Sequence, residues 1–261
     1  MCFISAILLL FLLYRETSLY SIGAMTTPLT NDPVRKILAA ALLVFPGVFI
    51  LVFIMHFRRF ADFFQFHEHY VPASPERTVA ALIANHNRTP LIHDPHMVGY
   101  LALPVFTLCA FALYVLGRGA RPFASAVTLM ITITGSIYMG GVFAMWTAFF
   151  RGLGMVDPAN LAGATATFAA MTAPQGAFLV TTTLAKMGMI GLGAQALTLV
   201  GTRVAPLWAV VCVVLGCLMF LAFWDLDNWM LIGTGLILVG FLPMRRALLH
   251  EADRTSAQPL E

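Results

Sequence analysis

Charge is what this chain has least of. Only 10% of its 261 residues are Asp, Glu, Lys or Arg, while 60% are hydrophobic. Soluble domains carry roughly 25% charged residues, so the composition excludes a water-soluble globule. The net charge of +3 is spread without any basic run, which removes the electrostatic footprint of nucleic-acid binding. Cysteine is scarce too: Cys109, Cys212 and Cys217 fall in apolar segments and Cys2 stands at the start. No polar loop holds a pair, so no disulfide framework is expected. Cys212 and Cys217 are spaced for different faces of a helix, a poor arrangement for shared ligation. A Gly-rich phosphate loop, a Gly-x-Ser-x-Gly elbow and a metalloprotease helix motif are all missing, and with them the commonest sequence signs of nucleotide, acyl-transfer or zinc-protease chemistry. No strong inverted repeat is present.

What the chain does have is apolar runs of membrane length, about 20 residues each. Six are expected: Ile37 to Phe57, His96 to Leu116, Phe123 to Phe150, Gln175 to Gly201, Leu207 to Trp224 and Trp229 to Met244. Start signals support these bounds. Asn31-Asp32-Pro33, Ser74-Pro75-Glu76, Asp94-Pro95 and Asp157-Pro158 each place a capping side chain ahead of a proline, which is preorganised for the first helical turn. Gly117-Arg118-Gly119-Ala120-Arg121-Pro122 is a tight basic turn, and Arg245-Arg246 stop the last span. The fold class is therefore all-α: a polytopic transmembrane helical bundle of about six spans. A short interfacial helix over Thr78 to Ala84 is expected in the first outer loop.

Three regions follow. Residues 1–34 form an N-terminal segment whose apolar run, about 12 residues, is too short to span. It lacks the basic n-region of a signal peptide, and Met25 opens what reads as an ordinary N-terminus. Residues 1–24 thus fit an upstream start codon as well as a degenerate interfacial helix. Residues 35–247 are the membrane domain and 248–261 a polar tail. By the Lys and Arg distribution, both termini face the cytoplasm in a multi-pass protein of the cell membrane. Trp146, Trp208, Trp224 and Trp229 lie near span ends, where interfacial aromatics belong. A different division of the apolar stretch 159–224 would change the span count.

The only long polar interval, Arg58 to His96, holds His67, His69, His86, His93 and His96, with His56 just ahead. His67-Glu68-His69 and His93-Asp94-Pro95-His96 place imidazoles beside carboxylates, a donor set that suits a transition metal. The candidate ligands are His67, His69, His93 and His96. Neither pair has the i, i+4 spacing of a helical two-His site, and histidines in a polar loop also find water and backbone partners without any metal. A loop that senses protons through histidine lies between the two. A b-type haem needs axial histidines within the spans. None lies deep in one, and only His56 and His96, at the outer ends of adjacent spans, could form a surface-level pair. Asn87-Arg88-Thr89 matches a glycosylation sequon, weakened by Pro90.

Two further features lie inside the apolar part. Lys186 falls near the middle of the fourth span, where a lysine costs about 2.5–3.5 kcal/mol. It is either buried in the bundle, paired or in a pathway, or it sits in a short turn with Ala159 to Ala185 spanning instead. Thr132, Ser136, Gly140, Ala144 and Ala148 recur every four residues and keep one face of the third span small. Such a face admits close helix packing, within the chain or against a second subunit.

One span, an outer loop with a short helix ending in Asn85-His86-Asn87, and a span closing on Gly117-Arg118-Gly119-Ala120-Arg121-Pro122 together resemble the small polytopic membrane proteins of bacteria. The resemblance covers about residues 35–155 and implies a fold plan and no activity. The expectation is a non-catalytic accessory or assembly subunit with no cofactor, embedded in the lipid bilayer and able to join a homo-oligomer or larger membrane complex. The alternatives are a metal-binding or redox protein using the outer histidines and a small transporter with Lys186 in its path.

Overall fold

The computed structural model describes residues 32–57, 63–64, 74–85, 94–173, 175–223 and 227–256. His67, His69 and His93 lie outside the described residues, as do residues 1–31, the sequon and the end of the tail. The described residues are helical, with no strand among them. The helices are α1 Asp32–Ile54, α2 Pro75–Asn85, α3 Pro95–Gly117, α4 Pro122–Gly154, α5 Leu161–Thr172, α6 Gly176–Ala185, α7 Met187–Leu197, α8 Leu207–Ala222 and α9 Asp227–Ser256; a 3₁₀ turn, Pro158–Asn160, leads into α5.

The long helices form a closed ring in the order α1, α3, α4, α7, α8, α9 and back to α1, with α3 and α7 also touching across it. Apart from the closing pair α9 and α1, ring neighbours follow one another along the chain. Among the described residues five helices are long and apolar enough to cross a membrane: α1 from Pro33, α3, α4, the α6–α7 unit and α9 to His250. The chain is a membrane protein of this helical kind. Its outer faces carry large bare apolar side chains such as Leu51, Leu101, Met130 and Ile137, which hydrocarbon solvates and water does not.

α8 is shorter, at 16 residues or about 24 Å. Glycine lets it lie close against α9: a Cβ on Gly216 would collide with the carbonyl oxygen of Gly233. α4 and α7 make a similar approach, since a Cβ on Gly135 would fall on the backbone of Gly188. Beside that contact Gln195, wholly buried, accepts from the Thr132 hydroxyl at 3.0 Å and donates to the Ala110 carbonyl at 2.9 Å. This ties α4, α7 and α3 together. The core is aromatic near the ring's centre, where Phe45, Phe49 and Phe106 are buried.

At one end of the ring the turn after α3 is closed by Ala120 and Arg121 N–H groups on the Gly117 carbonyl. Arg121 then donates to the carbonyls of Leu197 and Val200 at 3.1 and 2.9 Å, satisfying acceptors that the end of α7 leaves open. α9 continues as a helix well past Arg245-Arg246, to Ser256. Charged side chains are good helix formers once clear of apolar surroundings. At the opposite end α2, longer than expected, packs on α4 and α5 through Val79, Leu153 and Ala164.

Lys186 sits in a one-residue break between α6 and α7 with helical backbone angles. Its N–H reaches Thr182 O at 3.4 Å, and its own carbonyl accepts from Ile190 at 3.1 Å. The break is thus a loosened point in one unit from Gly176 to Leu197, with the lysine half-buried near its middle.

Candidate functional site

The site is built where α1 ends and α3 and α9 begin. The last turn of α1 tightens: His56 N–H bonds Phe53 O and Phe57 N–H bonds Ile54 O, both at 3.1 Å. These i to i+3 bonds close a helix end and turn the His56 ring back over the bundle, where its Nδ1 lies 2.9 Å from the Val52 carbonyl. That carbonyl can only accept, so Nδ1 carries the proton and Nε2 keeps a lone pair.

His96 is fixed by the cap that the sequence announces. Asp94 is the N-cap of α3, followed by Pro95, and its Oδ1 accepts the His96 N–H at 3.0 Å. The same oxygen lies 3.3 Å from His96 Nδ1. The carboxylate is wholly buried, and its other oxygen faces Arg151 Nε at 3.9 Å. Arg151 stands in the last turn of α4, where a cation also suits the helix dipole. Nδ1 of His96 thus faces the Asp94 carboxylate, which leaves Nε2 as the ring nitrogen on its other side.

The two rings meet with centroids 5.6 Å apart and planes at 89°. Asp227, in the first turn of α9, places Oδ1 3.7 Å from His56 Nδ1. Burial holds the His56 imidazole below its ordinary value, against the upward pull of Asp227. The neighbouring Asn228 is buried and donates to Phe63 O at 2.6 Å, which anchors the start of α9.

Below the pair lies a cavity of about 240 Å³. Its walls are mostly rings: Phe49, Phe53, Phe143, Trp146 and Phe220. His56, His96 and Asp227 are its polar lining, and Met139 and Met230 add thioethers. No Lys or Arg lines it. The rings brace one another, with Phe49 and Phe143 6.0 Å apart, Phe53 and Phe220 5.6 Å, and Trp146 and Phe150 4.7 Å. Phe150 also meets His96 edge-on at 5.3 Å. Among the described residues no group of three or more His, Cys, Asp or Glu is arranged to hold a metal.

The residues singled out in the sequence are distributed differently. His96 is in the site. His56 joins it as the surface-level partner that only an end-to-end meeting of adjacent spans could supply. Lys186 is not among the lining residues. The small-residue ladder divides: Thr132 faces Gly191 and Gln195 of α7, Ser136 meets Thr107 of α3 at 3.1 Å, Gly140 lies under Leu103, and Ala148 is exposed. Asp227, Met230 and the ring walls were not anticipated. Trp146, near a span end, is here a wall of the cavity.

The chain matches no family model, no curated protein and no solved structure.

Proposed function

We propose that the chain is a multi-pass protein of the cell membrane that works by holding a small ligand beneath His56 and His96, as a non-catalytic accessory component of a larger membrane assembly. One observation carries this reading: two imidazoles from α1 and α3 meet over a ring-walled cavity, Nδ1 of His56 on the Val52 carbonyl and Nδ1 of His96 facing the Asp94 carboxylate. A concave, mostly apolar chamber with a few convergent polar groups is the usual form of a small-ligand site. The position of Lys186 away from the lining favours binding here over a transport path through that lysine. Arg118, Arg121, Arg203, Arg245 and Arg246 gather at the end away from the histidines. The positive-inside rule then puts that end in the cytoplasm and the chamber near the outer surface.

Native mass spectrometry of the detergent-purified protein tests the reading. Wild type and Lys186→Met should carry the same co-purified small adduct, organic or inorganic, and His96→Leu should lose it. Wild type without an adduct, or an adduct that survives His96→Leu, would sink it.

A further inference from the structure

We infer that the chamber is a site for a single cuprous ion, held by Nε2 of His56, Nε2 of His96 and the thioether of Met230. The inference rests on the ligand-chamber reading above and names its occupant.

Three observations converge. First, each histidine shows the bracing that metal-ligating histidines use. A ligating imidazole gives its other N–H to a carboxylate or carbonyl, which fixes the tautomer and raises the basicity of the ligating nitrogen. Here Val52 O at 2.9 Å takes that role for His56, and for His96 the Asp94 carboxylate stands close by, with Oδ1 3.3 Å from Nδ1. Asp94 is itself held by the His96 N–H and faced by Arg151.

Second, the spacing fits one shared ion. With metal–nitrogen bonds of about 2.0 Å, two imidazoles bound at a tetrahedral to trigonal angle have ring centres roughly 5–6 Å apart. The observed separation is 5.6 Å. Two rings on opposite sides of a haem iron would stand farther apart, at roughly 6.3 Å by the same arithmetic.

Third, the surroundings select the ion. The sulfur in the lining is thioether, from Met230 one turn along α9 from Asp227 and from Met139. Thioether with imidazole selects Cu(I) over harder ions. Charge works the same way, because the cost of taking an ion out of water grows as the square of its charge. In a chamber walled by five aromatic rings a +1 ion is cheaper to desolvate than a +2 ion, the single Asp227 carboxylate of the lining balances one positive charge, and the ring faces attract it further. The carboxylate in the lining, Asp227, stands beside Nδ1 of His56 at 3.7 Å, and cuprous copper, which accepts two or three neutral ligands, is satisfied by two imidazoles and a thioether.

The test uses the full chain in detergent micelles under anaerobic, reducing conditions. Cu(I) is titrated in competition with a chromophoric Cu(I) chelator, and Zn(II) is titrated in parallel. Wild type should retain one equivalent of Cu(I), and X-ray absorption should show both nitrogen and sulfur neighbours. His56→Ala and His96→Ala should each lose at least about tenfold in Cu(I) affinity, and Asp94→Asn, which keeps a capping oxygen but removes the negative charge beside His96 and Arg151, about tenfold. Met230→Leu conserves volume and guards against loss of fold; it should weaken Cu(I) by about tenfold and leave the melting temperature of the apo protein unchanged. Three results would overturn the proposal: no Cu(I) held against the chelator, Zn(II) preferred to Cu(I), or Cu(I) held equally well by Met230→Leu. If an organic adduct is found by mass spectrometry and no copper binds, the chamber reading stands and the cuprous assignment falls.

Discussion

Asp94 Oδ1 reaches two atoms of the same residue, the backbone N–H of His96 at 3.0 Å and its Nδ1 at 3.3 Å. One carboxylate oxygen therefore starts α3 and orients the ring that α3 delivers to the chamber. Asp94→Ala should remove both functions and take the carboxylate from beside Arg151. The cap alone is worth about 1–2 kcal/mol, and the loss of Arg151's partner adds to it. Asp94→Asn keeps a good capping side chain and should melt above Asp94→Ala. Equal melting temperatures for the two would show that the cap contributes nothing.

Gly135 and Gly188 set the separation of α4 and α7. Gly135→Ala forces two backbones apart and should cost about 3 kcal/mol, at the upper end of overpacking penalties. It should be read as loss of monodisperse protein on size exclusion. Gly141→Ala, where the nearest atom to a Cβ would be Thr181 Cγ2 at 3.7 Å, should express and melt like wild type. Similar behaviour of the two variants would contradict the close approach.

Gln195→Leu should cost about 1–2 kcal/mol. That is the range for a buried polar link between apolar helices, and here the change leaves the Ala110 carbonyl without its side-chain donor. The Thr132 hydroxyl keeps a second acceptor in Thr128 O at 2.8 Å, which limits the damage. Thermal unfolding in micelles measures it, and an unchanged melting temperature would mean that the bridge is idle.

Reporter fusions read the number of passes. A junction after residue 120 should report the cytoplasmic side, and junctions after 155 and 226 should both report the opposite side. If α8 stays on one face of the bilayer, 226 will instead agree with 120.

The helices were legible because two chemical signals coincide in this chain: long apolar runs and proline-flanked caps. Asp94-Pro95 places the start of α3 within one residue of its expected position. Arg245-Arg246 end an apolar run without ending a helix, so the helix bound of α9 lies beyond the expected end of the span. The ladder on α4 was read at a spacing of four. Four residues turn a helix through about 400°, so the row drifts by roughly 40° each step. Over Thr132 to Ala148 it winds from α7 past α3 to the outside. The chamber was barely legible. His56 and His96 were a weak surface-level pair, while Asp227 and Met230 come from the far end of the chain and join only when the ring closes between α9 and α1.

That closure has a consequence for how the protein is made. Gly216 on α8 is shaped to receive the backbone at Gly233 of α9, the last helix in chain order. A chain synthesised only as far as Phe223 therefore presents a bare glycine notch on a short helix. It also leaves open the gap through which α1 and α8 face one another. The final helix is the keystone: its arrival fills the notch and closes the ring, and the same movement brings Asp227 and Met230 to the histidines.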